Sequence, residues 1–430
     1  MRKIITFMGL NPQPTAYEWD GETYQAQAFP QVLQERFGPE YDQMLVFVTP
    51  DARQDSLHLL KPEGDPRIVR VEIPTPKTEA DYWTVFERLT EQVEKDDRVI
   101  FDITHGFRSV PFLVFLAAAY LKVAKDVTIE GIYYGAREMG QRSQKKDAEP
   151  RAPAPAPEPG QPAPVIDLSP FASLLDWLAA TDQFVRTGSA AYLATVLRGD
   201  RPVGRSSVRN LAKSLEELSL ALMLGYPLEA MKRADAFKRE LENASAGVET
   251  LPAPFRVLLD RLRGEYAARA LARPEDDVRR NLQIQLDLLQ WYVENKQIVQ
   301  AMALAREWVV SALAWKGTGT LVLERSEREQ WERAVNGIAR EKRRDEGDKD
   351  DSTPAETRLS PKQAQAVARL WNKLGNLRND LAHAGMKESP TKPETIVRSA
   401  AEIQGQVRAL AEALGICDPC PGADSDRRAK

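Results

Sequence analysis

Two histidines stand where their neighbours would let them move protons or hold phosphate. His383 closes the segment Leu377-Arg378-Asn379-Asp380-Leu381-Ala382-His383-Ala384-Gly385. Gly385 reads as the glycine that ends a helix, which puts His383 in the last turn. A helix C-terminus favours the imidazolium, and a histidine titrating near neutral pH can act as general acid or base. Arg378 is five residues earlier. The two residues lie about 140° apart on an ideal helix, so the helix alone does not make them neighbours. They could converge in a groove, or across a two-fold axis with the same motif of a second chain. The competing reading pairs Arg378 with Asp380 and leaves His383 to cap carbonyls.

His105 lies in Asp102-Ile103-Thr104-His105-Gly106-Phe107-Arg108, directly after an apolar run and directly before a helical pattern. A turn between a buried strand and a helix is where open α/β sheets bind ligands. The coming helix offers free amides to an anion, Arg108 adds a phosphate contact, and Gly106 lets backbone approach closely. The competing reading makes Asp102 or Thr104 a helix cap and His105 a hydrogen-bonded loop residue. Gly9-Leu10-Asn11, Thr49-Pro50-Asp51 and Gly135-Ala136-Arg137 end other apolar runs and would share the same rim. His58, between Leu57 and Leu59, reads as structural.

Other chemistries find little support. Neither G-x-G-x-x-G nor G-x-x-x-x-G-K-[ST] occurs, which argues against a nicotinamide enzyme and a P-loop NTPase. Cys417 and Cys420 are the only cysteines, too few for a disulfide framework, and the chain reads as cytoplasmic. As a lone C-x-x-C they lack the second ligand pair of a structural zinc site, so no metal is expected. The longest uncharged apolar stretch, Ser109–Leu121, is too short to span a bilayer, and no membrane association is expected. The start, MRKIITFMGLNPQ, has no long apolar core of a signal peptide. The net charge of −4 leaves no broad basic field for duplex DNA. Residues 1–140 carry 15 basic and 22 acidic side chains, so any polyanion there must be held by a local site.

The elements that must position these residues fall into two halves. Ile4–Met8, Met44–Val48, Arg67–Ile73, Val99–Ile103 and Val127–Tyr134 are short apolar runs bounded by Gly or Pro, and predict buried strands. Helical patterns at Glu79–Lys95 and Val110–Lys125 separate them, the second apolar nearly all round and expected to pack on both sides. Alternation of this kind predicts a doubly wound, mostly parallel α/β sheet over 1–140. Residues 141–164 are rich in Pro and Ala and read as a linker or an exposed insertion. From 165 to 416 the pattern is helical throughout, with segments at Phe171–Val185, Ser206–Leu224, Leu228–Leu241, Asp276–Asn295, Ile298–Trp315, Ser326–Arg340, Pro361–Ala384 and Glu394–Leu414. Residues 417–430 read as a frayed tail.

Asp102-Ile103-Thr104-His105-Gly106 resembles the D-x-T-H-G motif of CRISPR-associated CARF proteins, which are Rossmann-like. Arg378-Asn379-Asp380-Leu381-Ala382-His383 resembles the R-x4-H motif of HEPN ribonucleases. The strand ending at Met8-Gly9 and the stretch Val165–Phe171 are similar to the same proteins. The resemblance implies an N-terminal CARF domain and a C-terminal helical HEPN domain in an ancillary effector of type III CRISPR defence. It implies a homodimer, or a higher even-numbered oligomer, whose CARF domains bind a cyclic oligoadenylate, most often cyclic tetra-adenylate. It implies cleavage of single-stranded RNA with no cofactor and no metal. Carried onto this chain, Gly9, Asn11, Thr49, Thr104, His105, Gly106 and Arg108 would line the messenger site. Arg378 and His383 would be catalytic, with Asn379 in support. A non-catalytic messenger-sensing regulator, or a CARF site that also degrades its messenger, stays open at this point.

Overall fold

The computed structural model describes residues 1–9, 13–50, 57–60, 65–140, 161–199, 206–244, 253–341, 359–386 and 388–418. The chain divides into two compact units, Met1–Asp176 and Trp177–Lys430.

The first unit is an eight-stranded sheet with helices on both faces. Its strands are β1 (Arg2–Phe7), β2 (Thr15–Trp19), β3 (Glu22–Ala26), β4 (Gln43–Val48), β5 (Ile68–Glu72), β6 (Arg98–Asp102), β7 (Thr128–Gly135) and β8 (Ala163–Asp167), in the spatial order β3-β2-β8-β7-β6-β1-β4-β5. The five strands from β7 to β5 are parallel. They match the apolar runs of the sequence because central strands are buried on both faces. Alternation along β1 sends Ile5 and Phe7 to one face and Ile4 to the other. On the first face they meet α2 (Glu79–Glu91) through Val85 and Leu89, and α3 (Val110–Lys125) through Val114, Ala118 and Leu121. On the second they meet Phe29, Val32 and Leu33 of α1 (Phe29–Phe37). The chain leaves β1 for β4 and β5 on one side, then returns through α2 to β6 on the other. The sheet therefore reverses direction between β1 and β6, which is where doubly wound sheets bind ligands.

Three features depart from the sequence reading. The hairpin β2–β3 was not among the expected strands, although Asp20-Gly21 at its tip adopts positive φ (51° and 83°), as a tight hairpin turn requires. The first unit does not stop at residue 140. After the short helix α4 (Arg137–Gly140), β8 runs antiparallel to β7 and pairs with β2 at Tyr17↔Ala163. The Pro/Ala-rich stretch thus joins two elements of the first unit, and residues 163–167, read as linker and helix, are strand. Pro164 is tolerated there because its carbonyl does the pairing, accepting from Ala136 N–H at 2.9 Å. Residues 141–160 of that stretch lie outside the described residues. Finally, α3 buries only one side: Phe112, Leu116, Tyr120 and Val123 are 66%, 43%, 48% and 86% exposed.

The second unit is helical. The boundary between units falls inside α5 (Ser169–Thr187), and α6 (Ala191–Arg198), α7 (Ser206–Met223), α8 (Pro227–Asn243), α9 (Ala253–Ala267), α10 (Val278–Glu294), α11 (Ile298–Thr318), α12 (Arg325–Glu341), α13 (Pro361–Ala382) and α14 (Pro393–Ala413) follow. Helices α6 and α9 were not foreseen. The core helix is α11, whose fully buried Trp308 donates its indole N–H to Leu282 O at 3.0 Å. Helix α13 packs on α11, α12 and α14 through Val367, Leu370, Trp371 and Leu374. Its start is fixed by a reciprocal cap: Gln363 N–H donates to Ser360 Oγ at 3.3 Å and Ser360 N–H to Gln363 Oε1 at 2.8 Å.

Candidate functional site

At the reversal point the carboxyl ends of β1 and β6 lie side by side, with Ile5 opposite Phe101. One residue on, the buried Asp102 carboxylate accepts from Thr6 Oγ1 at 2.6 Å and from Thr104 N–H at 2.7 Å. The first bond ties β6 to β1, and the second turns the chain just after β6. The Thr104 hydroxyl accepts Gly135 N–H at 2.8 Å, tying the turn to the end of β7. His105 Nε2 accepts Phe29 N–H at 3.1 Å, at the first turn of α1. A nitrogen that accepts carries a lone pair, so this imidazole is neutral with its proton on Nδ1. Burial lowers the His105 pKa, against the pull of Asp102 and with the help of Arg137. Burial raises the Asp102 pKa, opposed by His105 and by the Thr104 and Thr6 hydrogen bonds. Both groups are thus pushed toward their uncharged forms.

Gly106 adopts φ +115°, a conformation that strains any residue with a Cβ. Gly9 passes over His105: a Cβ built on it would lie 3.4 Å from His105 Nδ1. Gly9, Thr104, His105 and Gly106 are therefore brought together at one rim, with Arg108 exposed just before α3. Thr49 follows β4, two residues past the Phe7↔Phe47 pair of β1 and β4. It is 8% exposed and lines a cleft of about 270 Å3 beyond β4 and β5, with Pro50, Arg70, Glu72 and Arg88. Asn11 lies outside the described residues. His58 sits exposed in the single turn Leu57–Leu59.

Residues 63–138 match the family model described as CRISPR system endoribonuclease Csx1, CARF domain. That range runs from β5 to α4 and contains the whole Asp102–Gly106 turn. The chain carries a CARF domain. Residues 173–269 match the second domain of CRISPR-associated protein MJ1674. That protein, from Methanocaldococcus jannaschii, is 21% identical over 220 residues. The match takes in 50% of this chain and 28% of the relative, so the chain spans well under half of that protein's length. Among solved structures, Enterococcus italicus Csm6 bound to cyclic hexa-2'-fluoro-hexa-dAMP superposes with a TM-score of 0.42 at 11% identity, over 96% of this chain and 94% of that one. What the CARF match adds to the geometry is the place of the motif: its Thr and His hold the turn to β7 and α1, and its Gly supplies the positive φ. Helix α13, with Arg378 and His383, lies beyond both matched ranges.

In the second unit His383 caps α13, and the chain then turns through Ala384 at φ +50° and Gly385 at φ +70°. The left-handed turn thus begins one residue before the expected glycine. Gly385 N–H reaches back to Asp380 O at 3.0 Å. His383 is exposed and lines an open cleft of about 500 Å3 together with Lys373, Asn376, Asn379, Asp380 and Thr391. The Thr391 hydroxyl donates to the buried Asp380 carboxylate. Arg378 is exposed and is not among the residues lining this cleft. One chain therefore brings Asn379 and His383 together and leaves Arg378 on another face, as the five-residue spacing predicts. Among the described residues, no three His, Cys, Asp or Glu side chains gather as a metal site would need, and no helix is long and apolar enough to cross a membrane.

Sequence reading missed several residues that build these sites. Thr6 was legible in principle: it is the one hydroxyl inside the apolar run Ile4–Met8, and a buried polar group needs a partner. Phe29 was hidden because α1 was not assigned, although Pro30 at its first turn is a helix-start signal. Lys373, Asn376 and Thr391 carry no motif and become visible only when α13 and the turn after it are folded.

Proposed function

We propose that the chain is a cyclic oligoadenylate-activated, metal-independent endoribonuclease of type III CRISPR defence, acting as a homodimer. The observation that carries the reading is a CARF domain with its motif turn at the reversal point of the sheet, in one chain with an exposed histidine at the mouth of an open cleft. Gly9, Thr104, His105, Gly106 and Arg108 offer the messenger backbone amides, a narrow approach and one guanidinium; Asn11 and Thr49 complete the proposed set. Cyclic tetra-adenylate, a two-fold ring, suits a two-fold axis between two such domains. The exposed apolar side of α3 begins at Phe112, four residues after Arg108, and runs through Leu116 to Tyr120, whose ring meets Phe86 at 5.5 Å, with Trp83 beyond. A second copy of this chain covers that face in the proposed dimer.

RNA supplies its own nucleophile, the 2′-OH. His383 moves the proton between that hydroxyl and the 5′-oxygen leaving group. Arg378 steadies the charge on the phosphorane, with Asn379 in support. Because Arg378 and His383 point away from each other in one chain, the arginine reaches the cleft from the partner chain. The products are a 2′,3′-cyclic phosphate and a 5′-hydroxyl, and DNA, lacking the 2′-OH, is spared. The test is cleavage of fluorescent single-stranded RNA in EDTA with cyclic tri-, tetra- or hexa-adenylate or no ring, beside His383→Ala. Cleavage with one ring only, abolished in His383→Ala, supports the reading. Tight ring binding with no RNA cut refutes the nuclease and leaves a messenger-sensing regulator.

A further inference from the structure

The cation that shares a cleft with His383 within one chain is Lys373, and neither a motif nor a family match draws attention to it. Residues Lys373, Asn376, Asp380 and His383 fall within a sector of about 80° on α13, whereas Arg378 stands about 140° from both Lys373 and His383. Lys373 and His383 are ten residues apart, so about 15 Å of cleft separates them along the axis. At about 3.4 Å per stacked step, that is room for some four nucleotides. The facing wall is the start of α14, with Ser399 in the cleft and Glu402 one turn on. Lys373 Nζ forms an ion pair with Glu402, and the two side chains are 31% and 53% exposed. The pair is therefore half-open to solvent. An ion pair of that exposure is weakened by solvent, so an incoming phosphate can displace the carboxylate.

We propose that Lys373 is a positioning residue for the substrate: it binds an RNA phosphate a few nucleotides from the scissile bond, and Glu402 holds it in place, and partly masked, until RNA arrives. The proposal rests on the ribonuclease reading and adds the direction of the strand, along α13 from His383 toward Lys373. The carboxylate already present at the cleft floor, Asp380, is satisfied by the Thr391 hydroxyl and lies on the same side as Lys373. It repels a phosphate at its own end of the cleft, about 10 Å along the helix from Lys373, so the cation lies where that repulsion is weaker.

The test uses the full-length chain with the activating ring present. Binding of a fluorescein-labelled single-stranded RNA to the His383→Ala chain is followed across salt concentrations, with Lys373→Gln, Lys373→Arg and Glu402→Gln added singly. Cleavage kinetics are measured with the same three substitutions in the wild-type background. Lys373→Gln should weaken binding about five- to ten-fold, raise KM by the same factor, and leave kcat within about two-fold. Loss of one phosphate contact to a single strand should lower the slope of log K against log salt by about 0.7. Lys373→Arg should restore binding, and Glu402→Gln should tighten it a few-fold by freeing the lysine. An unchanged KM and salt slope in Lys373→Gln, with wild-type cleavage intact, overturns the proposal alone. Loss of kcat with KM unchanged also overturns it, since that is the mark of a structural or chemical role. If the wild type neither binds nor cuts RNA, the ribonuclease reading falls and the proposal with it.

Discussion

Gly135 is a position where one added methyl group should be felt strongly, because its neighbours are buried rings. It ends β7, and a Cβ built there would lie 2.7 Å from Phe29 Cδ2 and 2.7 Å from Tyr17 Cε1. Both rings are fully buried and packed edge to face, with centroids 5.1 Å apart, so neither can rotate away. Carbon atoms prefer about 3.5–4.0 Å, so something must move by close to 1 Å. Overpacking of that kind costs about 1–3 kcal/mol. In a unit of this size each kcal/mol lowers the melting temperature by about 2–4 °C. Gly135→Ala should therefore lower the melting transition of the first unit by roughly 2–12 °C in a thermal unfolding experiment followed by near-ultraviolet circular dichroism. The displaced ring belongs to Phe29, whose N–H holds His105, so ring binding should weaken as well. Gly9→Ala is the control: its Cβ would meet His105 at an ordinary 3.4 Å, so the melting transition should stay put. If Gly135→Ala melts with the wild type, the packing argument is wrong.

Two further expectations follow from single side chains. Asp102 holds its proton more tightly folded than unfolded because it is buried, so its ionisation draws stability out of the fold as pH rises above about 4. Asp102→Asn keeps an acceptor for Thr104 N–H and removes that loss; its stability relative to wild type, from urea titrations, should grow from pH 4 to 7, and a flat or shrinking difference would refute the account. Ala384 carries a Cβ at φ +50°, and Ala384→Gly should stabilise the second unit by about 1 kcal/mol in the same titrations, without slowing RNA cleavage; a loss of stability would show that the turn is not strained.

The parallel core was legible because β1, β4 and β6 are buried on both faces and so read as apolar runs. The D-x-T-H-G turn was legible because its chemistry is local: Asp102, Thr104 and Gly106 act within a few residues of β6. Long-range partners were not. Nothing near His105 in the sequence announces Phe29, since the bond runs from a backbone N–H 76 residues away. Strand β8 was misread for a different reason. Its Pro164 and its place after a Pro/Ala run argue against a strand, and pairing with β7 and β2 overrides that local preference. For α3 the all-apolar composition was read as two-sided burial, whereas the helix buries one side and leaves Phe112, Leu116, Tyr120 and Val123 exposed.

Strand β8 also sets a clock on how the first unit is made. The hairpin β2–β3 leaves the ribosome early, but its other sheet neighbour, β8, is encoded almost 150 residues later, at Tyr17↔Ala163. At about 5–20 residues per second, the nascent hairpin waits roughly 7–30 s for that strand. A lone hairpin is marginal in water and its open edge invites pairing with other chains. The connection of β7 to β8 through the Pro/Ala-rich stretch therefore lengthens the window in which two polysome-bound copies can trap each other. Shortening that stretch would bring the closing strand sooner, and truncating the chain at residue 140 would leave the edges of β2 and β7 open for good.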